Sequence, residues 1–186
     1  MAKLEKIYRK IDAFESTGRT IRGLAVSVGT WSKEISGFRE MIAPSALTED
    51  LILNSDVMLC VDHDPSKVLA RSKYGKGSLT LRITPRGLEF ETEAPQTTLG
   101  NDMLEMIKRQ DYSQCSFCFT ISGEEWKNEN DVTYRTITKI DRLFDVSIVY
   151  DPAYDATSVD VRSNAVLSTL TKLNTLEREI LKIYVG

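Results

Sequence analysis

The 186-residue chain has one histidine, three cysteines and five prolines, and it carries no excess of positive charge. Lys and Arg total 24 against 27 for Asp and Glu, a formal net charge of −3. Gripping nucleic acid needs a basic excess to neutralise phosphates, so no direct nucleic-acid role is expected. No apolar run approaches the roughly 20 residues that span a bilayer, and no membrane role is expected either. The opening stretch MAKLEKIYRKIDAFES mixes charges throughout and holds no apolar h-region, which argues against a signal peptide. Cys60, Cys115 and Cys118 are too few, and odd in number, for a disulfide framework, and they fit a reducing, cytoplasmic setting. Any chemistry that needs imidazole has one candidate, His63.

What the chain does have is alternation. With 41% hydrophobic and 27% charged residues its composition is that of a globular domain rather than a disordered or fibrous one. Leu24, Val26 and Val28 fall at every second position, as a half-buried strand requires. Residues 36–42 read as a second extended piece, and residues 45–54 as a short helix with Ser45 as its cap. Residues 57–61 form an apolar run of strand length that Asp64-Pro65 should end. Residues 78–92 make a hairpin, with Leu88, Phe90 and Thr92 on one face and Glu89, Glu91 and Glu93 on the other. The pattern predicts a helix over 101–109 with Asn101 as cap, then strands near 114–122, 132–140 and 143–150. Residues 165–184 carry Val166, Leu170, Leu173, Ile180 and Tyr184 at helical spacing. The expected fold is mainly β (α+β): a single β-barrel with a few flanking helices. Residues 1–163 are read as that domain and 164–186 as a C-terminal helix, packed on it or at a dimer interface.

Three residues invite a chemical reading. His63 lies at the end of an apolar strand between Asp62 and Asp64, where an imidazole is suited to proton transfer near neutral pH. Surface or capping duty is the plain alternative for a lone histidine. The pair Cys115 and Cys118 forms a C-x-x-C, but strand alternation turns the two sulfurs to opposite faces, whereas a redox C-x-x-C normally opens a helix. Cys115, Phe117 and Phe119 would then face the core, with Ser116 on a small, polar, half-exposed face. In LFDVSIVY, Phe144, Val146 and Ile148 share one face while Asp145 and Ser147 share the other. An acidic residue inside a strand needs a partner or a purpose. One His, one Ser and one Asp near three strands are the inventory of a hydrolytic triad. Their chain order, His then Ser then Asp, matches none of the three familiar orders. No metal and no cofactor are expected, since one His beside Cys60 and the aspartates follows no standard zinc spacing.

Four blocks of sequence resemble the phage HK97-type prohead proteases, capsid-maturation serine peptidases related to the herpesvirus assembly protease. The first joins Gly23-Leu24-Ala25-Val26 to Gly37-Phe38-Arg39-Glu40 and Ile42-Ala43-Pro44. The second is Val61-Asp62-His63-Asp64 and the third Cys115-Ser116-Phe117-Cys118-Phe119. The fourth runs from Leu143 to Val149 and on to Pro152-Ala153-Tyr154. The resemblance implies a barrel of the herpesvirus-protease type, with His63 and Ser116 catalytic and Asp145 as third member. Cys118 stands where that family usually has Gly, and Ser45 where Gly commonly precedes the short helix. Backbone N–H groups of residues 151–156 are the candidate oxyanion hole by the same analogy. The implied substrates are the major capsid protein with its scaffold segments, other internal proteins and the protease itself, with action inside assembling proheads in the bacterial host cytoplasm. Two other readings stay open: a catalytically inactive β-barrel scaffolding or capsid-assembly protein, and a cysteine hydrolase that uses Cys118 or Cys115 with His63.

Overall fold

A computed structural model describes residues 4–9, 15–32, 34 and 37–150, with the backbone alone for 4–9 and 15–17. These residues belong to one unit, Met1–Pro152. The strands are β1 (Leu4–Arg9), β2 (Glu15–Thr17), β3 (Thr20–Ser27), β4 (Phe38–Ile42), β5 (Asp56–Val61), β6 (Asp64–Lys73), β7 (Lys76–Gly77), β8 (Thr80–Thr84), β9 (Gly87–Glu93), β10 (Tyr112–Glu129) and β11 (Val132–Tyr150). Helices α1 (Glu49–Leu53) and α2 (Thr98–Lys108) punctuate them.

Two sheets result. The larger runs β1-β10-β11-β5-β6-β7, with β4 also paired to β11, and the smaller runs β2-β3-β9-β8. The mainly β expectation holds, but the barrel is corrected. Among the described residues neither sheet closes on itself, because a closed barrel needs an unbroken ladder and the larger sheet ends at the two-residue β7. The facing sides instead bury one shared core. Ile21 and Val26 of β3, Leu88 and Phe90 of β9, Phe117 and Phe119 of β10, and Val146 and Ile148 of β11 all fall in it. Burial of that kind contributes about 1.5–3 kcal/mol per large side chain and is the main force joining the sheets.

Local chemistry explains the differences from expectation. The strands predicted at 132–140 and 143–150 merge into one, because the ladder with β10 continues through Arg142. Asn130 and Asp131, both at positive φ (50° and 63°), make the two-residue hairpin turn that joins β10 to β11. Bulges break the register of this ribbon, one of them between Cys118/Asp145 and Phe119/Leu143. That extra residue is Phe144, so Leu143 enters the core in its place and Phe144 is only half-buried. Helix α1 is capped by Thr48, whose hydroxyl accepts from the Leu51 N–H, and Ser45 lies in a separate 3-10 turn, Pro44–Ala46. Helix α2 starts earlier than expected, with Thr97 as cap in place of Asn101. The hairpin at β8–β9 forms as read, and only glycine fits at 87, where a Cβ would lie 1.8 Å from the Val26 carbonyl oxygen. The helix read at 165–184 lies outside the described residues.

Candidate active site

Strand β11 is the spine of the site. Alternation puts Asp145 and Ser147 on one side of it, and the two neighbouring strands bring in the other groups. On one flank β10 runs antiparallel, with Ser116 the cross-strand partner of Ser147 and Cys118 that of Asp145. On the other flank β5 runs parallel, pairing Asp145 with Met58 and Ile148 with Val61. Parallel pairing carries the C-terminal end of β5 past Asp145 and Ser147, so the turn that follows Val61 arrives beside them.

That turn is Asp62-His63. Val61 pairs with Asp64, and the two residues between them have φ of 53° and 57°, the mirror-image turn that Asn-Gly ordinarily fills. The strand therefore ends at Val61 and resumes at Asp64, so Pro65 does not stop the hairpin; it sits in the register shift before Val68. Left-handed backbone at a non-glycine residue costs about 1–3 kcal/mol, so the surroundings must hold it. They do so with three hydrogen bonds. The Asp62 N–H donates to the Ile148 carbonyl at 3.0 Å, the His63 N–H to Ser147 Oγ at 3.1 Å, and the Tyr112 hydroxyl to Asp62 Oδ2 at 2.9 Å.

The His63 ring then spans the sheet. Its Nδ1 lies 2.6 Å from Asp145 Oδ1 and its Nε2 lies 2.6 Å from Ser116 Oγ. An ionised carboxylate can only accept, so Nδ1 carries the proton and Nε2 is free to accept from the serine hydroxyl. All three sequence-predicted residues meet at one place. The ring is 4% exposed and Ser116 has no exposed surface, which corrects the half-exposed face expected for that serine. Ser147, which the sequence marks only as sharing Asp145's face, also has no exposed surface and donates to Asp145 Oδ1 at 2.9 Å. A signal for it existed in its i+2 spacing from Asp145, but its bond to the His63 backbone could not be read from the chain.

The other candidates stand aside. Cys115 points into the core away from Ser116, and burial pushes its thiol far above the ordinary range, so it holds no thiolate near neutrality. Cys118 shares Ser116's strand face, but Ser116 holds His63 Nε2. Asp62 engages Tyr112 and Asp64 engages Ser66 and Lys67, so the flanking carboxylates have partners other than the imidazole. No group of three or more His, Cys, Asp or Glu side chains among the described residues could hold a metal ion. The loop at 151–156, expected to supply an oxyanion hole, lies outside the described residues.

No curated protein matches this chain. In fold it is similar to the bacteriophage T4 capsid assembly protease, at TM-score 0.55 and 10% identity over 81% of this chain and 99% of that one. The family profile described as caudovirus prohead serine protease matches residues 6–172, most of the sequence, and the chain accordingly belongs to that family.

Proposed function

We propose that this prohead serine protease cleaves peptide bonds by acyl transfer on Ser116, with His63 as general base and acid and Asp145 as the group that orients it. The observation that carries the assignment is the pair of 2.6 Å contacts linking Ser116 Oγ, the His63 ring and Asp145 Oδ1. Ser116 Oγ attacks the scissile carbonyl carbon as its proton passes to His63 Nε2. The imidazolium returns that proton to the leaving amine, and water repeats the sequence to release the acyl group. Asp145 keeps the imidazole in the productive tautomer and stabilises its cationic form in between. Because Ser116 has no exposed surface, a peptide reaches it only by displacing what covers it.

The substrates in this reading are scaffold segments of the major capsid protein, other proteins enclosed in the prohead, and the protease itself. The site of action is the assembling prohead in the host cytoplasm. Family membership and the likeness to a capsid assembly protease support it. Residues 1–163 are assigned to the protease domain and 164–186 to a C-terminal helix that covers its apolar stripe on the domain or on a second copy. Sedimentation of the chain with and without residues 165–186 separates those two arrangements.

A fluorophosphonate probe, mapped by peptide mass, tests the chemistry directly. Labelling at Ser116 is expected. Iodoacetamide labelling of Cys118 with loss of activity would replace the serine mechanism with a thiol one, and labelling by neither probe would favour an inactive assembly protein.

A further inference from the structure

We infer that Ser147 is a positioning residue that locks both sides of the general base, an inference that rests on the triad assignment above. Its hydroxyl touches two of the three parts that must stay in register. The His63 backbone N–H can only donate, so Ser147 Oγ accepts from it at 3.1 Å and directs its own proton to Asp145 Oδ1 at 2.9 Å. The same carboxylate oxygen receives the His63 Nδ1–H at 2.6 Å. Ser147 thus closes a ring that runs from the His63 backbone through its own hydroxyl to Asp145 and back through the imidazole. Its Cα partners on the two sides are Ser116 of β10 and Cys60 of β5, so it occupies the centre of the strands that carry the site.

The ring matters because of where His63 sits. Two consecutive non-glycine residues in the left-handed region are a spring, and a turn that relaxes moves the ring with it. Among the β11 groups that hold the backbone of this turn is the Ile148 carbonyl, which binds Asp62. Another is Ser147, which is bonded both to the His63 backbone and to the carboxylate the ring must face. Losing the hydroxyl leaves a serine hydroxyl and a base that are both present but out of line, and misplacement by about 1 Å can lower turnover about 100-fold.

The test compares Ser147→Ala and Ser147→Cys with the wild-type protein on a capsid-scaffold peptide. Cysteine fills the same space but is a weak donor, so it guards against a defect caused by an empty cavity. Turnover per folded molecule is expected to fall about 10- to 100-fold in both, with KM little changed, as expected when alignment of the reacting groups is lost. Because the chain has one histidine, the imidazole N–H proton signal belongs to His63 without assignment, and it should broaden or disappear in both variants. Wild-type kcat with an unchanged imidazole signal in either variant overturns the inference. So does a loss of activity that only tracks the loss of folded protein, which would make Ser147 structural. Ser116→Ala is assayed beside them. Cleavage by that variant overturns the triad itself, whereas an inactive Ser116→Ala beside fully active Ser147 variants overturns the positioning role alone.

Discussion

Asp145 and His63 stand 82 residues apart in sequence and are joined by a 2.6 Å contact between Oδ1 and Nδ1. For Asp145→Asn the expected outcome follows from that bond. An amide can offer its NH₂ to Nδ1, which moves the imidazole proton to Nε2 and removes the acceptor that Ser116 needs. Turnover should drop about 10⁴-fold while the fold persists. Steady-state kinetics beside a thermal melt check this, and wild-type turnover would take Asp145 out of the triad.

Ser116→Ala should abolish cleavage outright. The lost hydroxyl is buried and bonded to His63, so the stability change is expected to stay near 1 kcal/mol. Retained cleavage by a pure preparation would sink the nucleophile assignment.

Away from the site, Arg135 is buried and donates to Glu40 at 3.0 Å and to Glu124, with its guanidinium 5.5 Å from the Trp126 ring centre. Removing one partner of a buried ion pair leaves a charge without compensation, so Arg135→Met should destabilise by about 3–5 kcal/mol. Adding Glu40→Gln should recover part of that loss. Urea unfolding of the single and double variants measures the coupling.

The hairpin turn at Asn130-Asp131 offers a gain. Asp131 sits at φ 63°, where a side chain costs about 1–2 kcal/mol relative to glycine. Glycine forfeits about 0.5–1 kcal/mol of that through its freer unfolded chain. Asp131→Gly is therefore expected to raise stability by up to about 1.5 kcal/mol with unchanged kcat, since the turn closes the end of the ribbon remote from Ser116. A lower denaturation midpoint would contradict the turn geometry.

Tyr112 gives the pH test. Burial first, then its bond to Asp62 and the charge of that carboxylate, push the phenol from its ordinary value of 10.0 up to about 12. Between those two values the folded protein keeps a proton that the unfolded chain has released, so stability falls as pH rises through the window. Below pH 10 the contribution is fully present. Tyr112→Phe should lose this part of the alkaline slope, and equal slopes for the two proteins would refute it.

Much of this was legible in the chain. Alternation along LRIT and LEFETE places Leu88, Phe90 and Thr92 inside and the glutamates outward, and Thr84-Pro85-Arg86-Gly87 turns where a turn is needed. The same period-two rule separates Phe117 and Phe119 from Ser116, and Val146 and Ile148 from Asp145 and Ser147. Helix caps were less legible, because Thr48 and Thr97 compete with Ser45 and Asn101 for the same duty and only the path of the chain selects between them.

The sequence by itself determined which side chains could do the chemistry: a lone imidazole, a serine among small neighbours and a carboxylate within a strand, all on faces set by local periodicity. Tertiary structure decided that they meet. The parallel pairing of β5 with β11, the antiparallel pairing of β10, and the bulge at Phe144 are long-range choices made by core packing. Period-two patterning fixes a face within one strand, but it says nothing about which strand lies alongside or in what register. The left-handed turn at Asp62-His63 shows the same division. Asp and His tolerate that backbone better than most residues but do not select it as glycine does. The bonds from Tyr112 and to Ser147 and Ile148 that hold it exist only once the sheet has formed.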